Sequence, residues 1–381
     1  MRKFLVLLML VFVFDLRAVE VFKGFSLNGD VVFYFQGGNL SESGKIFPSS
    51  EKGFGNVIDV EGFYRFTDAF SIYTRFHNGN GQGADKTYSD FLFANINTMA
   101  DDNPDGNYDL KLLEAYLDVS FFSEKLEIIV GKTEPFVFID QNEFANDELN
   151  QFVGKPFVNN VFFDVEDLYS PIAGFFLKGE RVEFSGFVQS IEKHKVFFNG
   201  EEWTVDETGT HTFKENLTAG FQVNFKTDFK GLKGNYRFYL YNNSHPHFSV
   251  FENLTDGSRR PELKGASGFG VSIDQYFNKR AGLFFRYGRV RKDIYQFRDF
   301  YSFGFNVTSM FFKDDCLLFG FAKINPISGL ELKDENHIEV QYRLDFKNNL
   351  ALSFDFQYIS NLINYPKLNL SVFTVRVARF F

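Results

Sequence analysis

The sequence predicts an all-β chain, a transmembrane antiparallel β-barrel of about 16 strands with short periplasmic turns and long external loops. Three observations carry that prediction. Phenylalanine supplies 55 of the 381 residues, yet mean hydropathy is slightly negative at -0.18. The aromatics recur at every second position with polar residues between them. Short and long connections alternate along the chain.

Successive side chains on a strand point to opposite faces, so such alternation marks a ribbon with one apolar and one polar face. Residues 349–359 show it best, with Leu350, Leu352, Phe354, Phe356 and Tyr358 set against Ala351, Ser353, Asp355 and Gln357. Read this way from the N-terminus, the first strand is 25–36, where Leu27, Val31, Phe33 and Phe35 share a face. Strands 57–67 and 70–77 follow, joined by a tight link, and then 110–122 and 125–133, joined by another. The pattern repeats over 172–178 with 181–190, 215–227 with 231–241, and 265–277 with 280–289. It continues over 300–309, 315–323, 336–346 and 349–359, and ends with 368–381. The longer links are 37–56, 78–109, 134–171, 191–214 and 242–264. Outer-membrane barrels alternate in this way, which places both termini on the periplasmic side.

Arg2 and Lys3 precede an apolar run, 4–14, and Ala18 follows at a cleavage point, so residues 1–18 read as an export signal. That run is too short for a membrane-spanning helix, which needs about 20 residues. The single barrel is then 19–381. Net charge is -9 for the whole chain, and residues 19–381 hold 37 basic and 48 acidic side chains, a balance of about -11. An acidic balance excludes nucleic acid as a partner and sets a cation-attracting field around any pore. Cys316 stands alone, so no internal disulfide supports the fold.

The strand faces sort consistently. Phe221, Val223 and Phe225, Tyr236, Phe238 and Leu240, and Ile338, Val340, Tyr342 and Leu344 belong to the lipid side. The opposite face holds Asn28, Asp30, Asp59, Glu61, Arg65, Arg75, Glu114, Asp118, Glu183, Arg237, Asp274, Arg286, Glu339, Arg343, Asp355 and Arg376. A charge on the lipid face costs about 2–4 kcal/mol near the midplane, and buried without a partner it is costlier still. This face therefore implies water, and hence a lumen. The chain ends in Phe381, with Phe373, Val375 and Val377 alternating before it; Arg379 breaks the apolar set and reads as a snorkelling side chain.

Residues 140–160, DQNEFANDELNQFVGKPFVNN, resemble the signature segment of the carbohydrate-selective porin (OprB) family in their F-A-N-D-E, Q-F and V-N-N runs. In the same order come LLEAYLDVSFF at 112–122, AGLFFRYG at 281–288 and EVQYRLDFKNNLALSFDFQYISN at 339–361. The resemblance covers the chain from about Leu112 onward. It implies a sixteen-stranded barrel in the bacterial outer membrane that admits sugars by diffusion. Its partners are then carbohydrates or other small hydrophilic solutes, outer-membrane lipid and the insertion machinery that reads the terminal aromatic. The sequence leaves open whether one barrel works alone or a homotrimer forms.

Porins fold their third external loop into the lumen, and here the third long loop, 134–171, carries Asp140, Asn142, Glu143, Asn146, Asp147 and Glu148. With wall residues Arg65, Arg75, Arg237, Arg343, Arg376 and Glu339 these are the candidate constriction and solute-binding residues. Carboxylates and amides accept from hydroxyls and arginine forks donate to them, while aromatic faces stack on the C–H face of a pyranose. The plainer reading of each wall arginine is an ion pair with a lumen carboxylate.

Other constellations are weaker. Residues 101–109, DDNPDGNYD, resemble half of a calcium loop, but Leu112 stands where the bidentate glutamate belongs, and an Asp/Asn/Gly-rich turn explains them as well. His245 and His247 flank a proline with no third zinc ligand in the sequence around them, and GNGQG at 79–83 lacks the lysine of a phosphate loop. No metal or cofactor is expected. Three functions stand: a passive sugar-preferring porin, a general or cation-preferring porin on the same barrel, and a barrel enzyme using His337 and Glu339, for which no nucleophile is identifiable.

Overall fold

The computed structural model describes residues 19–41, 48–100, 110–163, 169–255, 257, 259–291, 293–363 and 365–381. The expected export signal 1–18, the acidic segment 101–109 and Asp256 lie outside them. The first half of the chain forms β1 (Val19–Phe22), β2 (Phe25–Leu40), β3 (Ser50–Thr67), β4 (Phe70–Asn80), β5 (Lys111–Phe121), β6 (Leu126–Thr133), β7 (Ser170–Lys178), β8 (Val182–Phe198) and β9 (Trp203–Phe229). The second half forms β10 (Leu232–Phe248), β11 (Leu263–Asn278), β12 (Ala281–Val290), β13 (Phe297–Thr308), β14 (Asp315–Pro326), β15 (Glu335–Phe346), β16 (Leu350–Leu362) and β17 (Tyr365–Phe380).

From β2 to β17 each strand pairs antiparallel with the next. β17 returns to β2, from Leu370↔Leu40 to Phe380↔Asp30, and closes a sixteen-stranded barrel. Closure leaves no open sheet edge in lipid, which the bilayer demands of any β structure. β1 pairs with the start of β2, Val19↔Leu27 to Phe22↔Phe25, beyond the point where Phe381 and Gly29 exchange backbone hydrogen bonds.

Each of the sixteen strands read from alternation is present. The differences lie at the external ends. Residues 191–214, expected as a loop, instead continue β8 and β9 as a ribbon paired up to Phe198↔Trp203, with register breaks after Ser190 and Glu192. Above the hydrocarbon layer both faces of a strand are wet, so hydrophobic alternation fades while backbone pairing goes on.

The burial pattern is inverted relative to a soluble sheet. On β16, Ala351, Ser353, Asp355 and Gln357 are buried while Phe354, Phe356 and Tyr358 are exposed. Phe221, Phe225, Phe238 and Leu240 are exposed on the same outer surface. An apolar band outside and a polar face inside is what a lipid-embedded barrel requires.

One expectation needs correcting. The inner face was expected to be bathed in water all round, but on β11–β17 it is dry. Asp274, Arg286, Glu339, Asp355 and Arg376 are at most 1% exposed, because two external loops fold into the barrel and cover them. The charges are tolerated there because nearly all are hydrogen-bonded, which removes most of the burial penalty.

Candidate functional site

The third external loop, 134–169, runs from the end of β6 into the lumen and is fastened by wall side chains. Arg286 on β12 is the central fastening. Its Nε donates to Asp140 Oδ1 at 2.9 Å, its Nη1 to the Phe157 carbonyl at 3.0 Å, and its Nη2 to the carbonyls of Asp140 at 3.1 Å and Ala145 at 2.8 Å. Asp140 also accepts from the Tyr239 hydroxyl at 2.9 Å and the Asn160 amide at 2.6 Å. Glu339 on β15 accepts the successive amides of Val153 at 2.6 Å and Gly154 at 2.9 Å. Arg376 on β17 donates to the carbonyls of Glu148 and Gln151, and Arg343 to that of Asn150.

Apolar seats complete the docking. Inward-facing glycines leave room for loop phenylalanines. A Cβ on Gly282 would lie 2.0 Å from the Phe144 ring, and one on Gly320 2.7 Å from the Phe157 ring. Phe144, Phe152 and Phe157 join Phe284, Leu318 and Ala322 in one buried cluster.

The second external loop enters beside it. Glu335 accepts the amides of Phe93 at 2.8 Å and Ala94 at 3.1 Å, and Gln36 and Gln357 both donate to the Ile96 carbonyl. The two loops bond to each other through Thr98 N to Val153 O at 3.1 Å and Lys155 N to Asn95 O at 2.9 Å. Sequence reasoning placed one loop in the lumen; the second lies there with it.

The opposing wall, β3 to β5, is only partly covered: Asp59, His77 and Glu114 are buried, whereas Glu61, Arg75 and Asp118 are half-buried. Arg75 on β4 forks onto Asp59, with both bonds 3.1 Å, and reaches Glu114 at 3.3 Å. Between this wall and the loop lies a polar cavity of ≈ 70 Å³ lined by Arg75, Glu134, Asn146, Glu148, Lys155 and Tyr169, among others. It offers a cation on each side, carboxylates, an amide and a phenol within reach of one small solute.

Over residues 48–378 the sequence matches the family model described as carbohydrate-selective porin, OprB family. The chain belongs to that family. The match begins well before Leu112, where the resemblance in the sequence faded. The high-pH structure of Pseudomonas putida OprB is 13% identical, superposes with a TM-score of 0.72 and covers 94% of each chain. OmpT of Vibrio cholerae is 9% identical with a TM-score of 0.57, covering 96% of this chain and all of that one. Both likenesses concern the fold. An uncharacterised protein of Aquifex aeolicus (strain VF5) is 24% identical over 290 residues, 74% of this chain and 76% of that protein. The protein is an outer-membrane porin of the carbohydrate-selective class.

In this porin the expected site residues divide. Asn146, Glu148 and Arg75 line the narrow cavity. Asp140, Asn142, Glu339 and Arg376 were expected to meet solute; they are buried and hold the loop, Asn142 by donating to Ser272 Oγ at 3.1 Å. Arg237 is buried in an ion pair with Asp274. Arg343 pairs with Asp345 at 3.0 Å as well as with the loop. Asp147 folds its carboxylate back onto the amides of Leu149 and Asn150, both at 2.9 Å. Glu143 is exposed in a separate cavity of ≈ 220 Å³ with Tyr276, Lys279 and Arg280. Arg65 is exposed two rows below the Arg75 row, toward the periplasmic turn. Sequence reasoning missed Glu134, Lys155 and Tyr169, whose roles depend on how the loop coils.

His245 and His247 acquire a neighbour the sequence did not suggest: the His194 ring lies 4.0 Å from that of His245 on the external ribbon. Among the described residues no group of three metal-ligating side chains has the geometry to hold an ion.

Proposed function

We propose that neutral polyhydroxylated solutes of about monosaccharide size cross this porin between the third loop and the β3–β5 wall, with Arg75, Asn146, Glu148 and Lys155 exchanging hydrogen bonds with their hydroxyls. The observation that carries this reading is the mixed lining of the narrow cavity, which holds both signs of charge and an amide. A permeating sugar gives up part of its hydration shell there and must regain it from side chains weakly enough to leave again. Donors and acceptors side by side suit hydroxyls, which are both; a ring of one sign would suit an ion.

Planar-bilayer conductance in the presence of glucose or maltose tests it. Millimolar sugar is expected to lower ion current by occupying the constriction, and liposomes bearing the porin are expected to swell faster in monosaccharide than in a larger oligosaccharide. Current indifferent to sugar, with strong cation selectivity, would instead favour a general cation-preferring pore. The net charge of -9 and the half-buried Glu61 and Asp118 on the β3–β5 wall speak for that second reading.

The reading also takes the chain as a channel rather than an enzyme. Glu339 is engaged with loop amides, and His337 Nε2 lies 2.7 Å from Glu335, which is engaged in the same way. Residues 1–18 are taken as the export signal, and Phe381, at the closing seam beside Gly29, as the residue the insertion machinery reads.

A further inference from the structure

The outward face of the barrel carries its charge unevenly at the external rim. On β16, β17 and β2 the outward rim residues include Ser360, Asn369, Ser371 and Asn39, and on β10 and β11 they include Asn242 and Ser267. Lys52 on β3 and Lys132 on β6 stand singly. On β12–β14 the rim is basic instead. Tyr287 pairs with Tyr301 and Tyr301 with Lys323, so one outward row ends on an ammonium. The next row toward the exterior is Arg289, Asp299 and Asn325. The row on the membrane side is Phe285, Phe303 and Phe321, of which Phe285 and Phe303 are exposed.

A β-bulge adds to this group. The register between β13 and β14 shifts between Phe297 and Asp299. Phe297 and Phe300 are both buried in one inner cluster, so the two residues between them, Arg298 and Asp299, both turn outward. Bulges re-aim side chains in this way. Arg298 thereby joins Arg289 and Lys323, and Arg291 follows Arg289, exposed, where β12 ends. The two carboxylates bonded into the group are already engaged. Asp299 accepts from Asn325 at 2.7 Å and lies 3.5 Å from Arg298, and Asp334 holds Lys323 at 2.6 Å. Four cations against these two carboxylates leave a positive surplus on a chain whose net charge is -9. Among the described residues the Arg289 guanidinium has no hydrogen-bond partner.

We infer that Arg289, Arg298 and Lys323, with Arg291 beyond them, dock the phosphate headgroup of a lipid in the external leaflet, whose acyl chains lie along the Phe285–Phe303–Phe321 row. Position and charge together select this occupant. The face lies outside a closed barrel, so solute in the lumen never meets it, and the apolar row below it belongs to the hydrocarbon layer. Tyr287 and Tyr301 stand at the boundary, where such rings keep their body in lipid and their hydroxyl among headgroups. Guanidinium forks match phosphate oxygens two at a time, and basic side chains near a membrane surface attract anionic lipid. Asn325 and Asp299 hold Arg298 in place beside them. The inference does not depend on which solute crosses the lumen.

The test uses the full porin in neutral detergent, with bound lipid counted by native mass spectrometry. Dioleoylphosphatidic acid is the probe, and dioleoylphosphatidylcholine is the comparison without net headgroup charge. Arg289→Gln with Arg298→Gln is expected to weaken binding of phosphatidic acid about thirtyfold, which is about 2 kcal/mol. Lys52→Gln with Lys132→Gln removes the same charge elsewhere on the rim and is expected to leave that binding as it was. Phosphatidylcholine should bind weakly and alike to wild type and both pairs. Inorganic phosphate should not displace the lipid, because it has no chains for the aromatic row. Wild-type ion conductance in planar bilayers reports an intact barrel in each variant. Equal loss in the two pairs would show that overall charge and not this site holds the lipid, and would overturn the inference. So would displacement by inorganic phosphate, or a change of oligomeric state in the arginine pair, which would make the face a contact between copies. If the arginine pair fails to fold, Arg291→Gln with Lys323→Gln is read by the same criteria.

Discussion

Arg286 and Asp140 meet 2.9 Å apart with neither side chain reached by solvent. They join the wall of the barrel to the loop that narrows it. Arginine suits this place because its fork of donors serves one carboxylate and three backbone carbonyls together. Asp140 suits it because a buried guanidinium needs a countercharge.

Breaking this pair from one side leaves a buried charge uncompensated, at a cost of about 3–5 kcal/mol. Arg286→Met is therefore expected to release the third loop while the barrel, whose ladder does not depend on it, still forms. Amide exchange at Asn160, which donates to Asp140, should speed up, and the open-channel current should become larger and noisier. Exchange at Asn160 as slow as in the wild type would refute the fastening role.

The barrel was legible in the sequence because lipid enforces a strict rule, apolar out and polar in, on every crossing strand. Alternation at 349–359 is the sequence form of that rule, and the matching register is Phe354↔Tyr342 and Phe356↔Val340. The loop was legible only in outline. Nothing in its spacing separates Asp140, which reaches the wall, from Asp147, which turns back on its own chain, because both lie in irregular backbone with no period to read. Arg286 stood among the expected lumen arginines, but its partner across 146 positions could not be named from sequence. The inward glycines were a missed signal. A glycine on the polar face of a strand has no solvent reason to be there, and Gly282 and Gly320 mark where loop rings land.

Glu148 and Lys155 both line the cavity beside Arg75, while the Asp147 carboxylate is tied to Leu149 and Asn150. Glu148→Gln is therefore expected to shift the zero-current potential toward anion preference more than Asp147→Asn does. Lys155→Gln should shift it the opposite way. Reversal potentials in a tenfold salt gradient give the comparison, and equal shifts for Glu148→Gln and Asp147→Asn would rule out this division of roles.

Outside the membrane, Asp293, in the link between β12 and β13, accepts from Ser249 Oγ at 2.5 Å and from Lys264 Nζ at 2.9 Å. The hydroxyl and then the ammonium hold its carboxyl down at about 2, below the ordinary 3.8. A carboxyl depressed on folding contributes stability that is complete above its ordinary value and is lost as pH falls through the folded one. The clip between these external segments should thus hold at pH 5 and fail between about pH 4 and 2. Proteolysis by pepsin around 249–264 is expected to quicken over that interval in the wild type and to be fast throughout in Asp293→Asn. Pepsin sensitivity that does not change over the interval would show that the clip is not what orders the loop.

Gly320 offers the opposite perturbation to Arg286. Its missing side chain leaves the space in which the Phe157 ring rests, and an added Cβ would stand 2.7 Å from that ring and 3.2 Å from Phe152. Gly320→Val overfills the seat, and overpacking costs about 1–3 kcal/mol. The wall is held by hydrogen bonds on both edges of β14, so the loop is the part that gives, and it is pushed away from β14 into the lumen. Conductance should fall and sugar should pass more slowly, whereas loosening the loop at Arg286 raises the current. The double variant separates cause from coincidence: once the loop is unfastened, valine at 320 should have little further effect on current. A Gly320→Val channel with wild-type conductance would mean that the ring does not transmit its position to the pore.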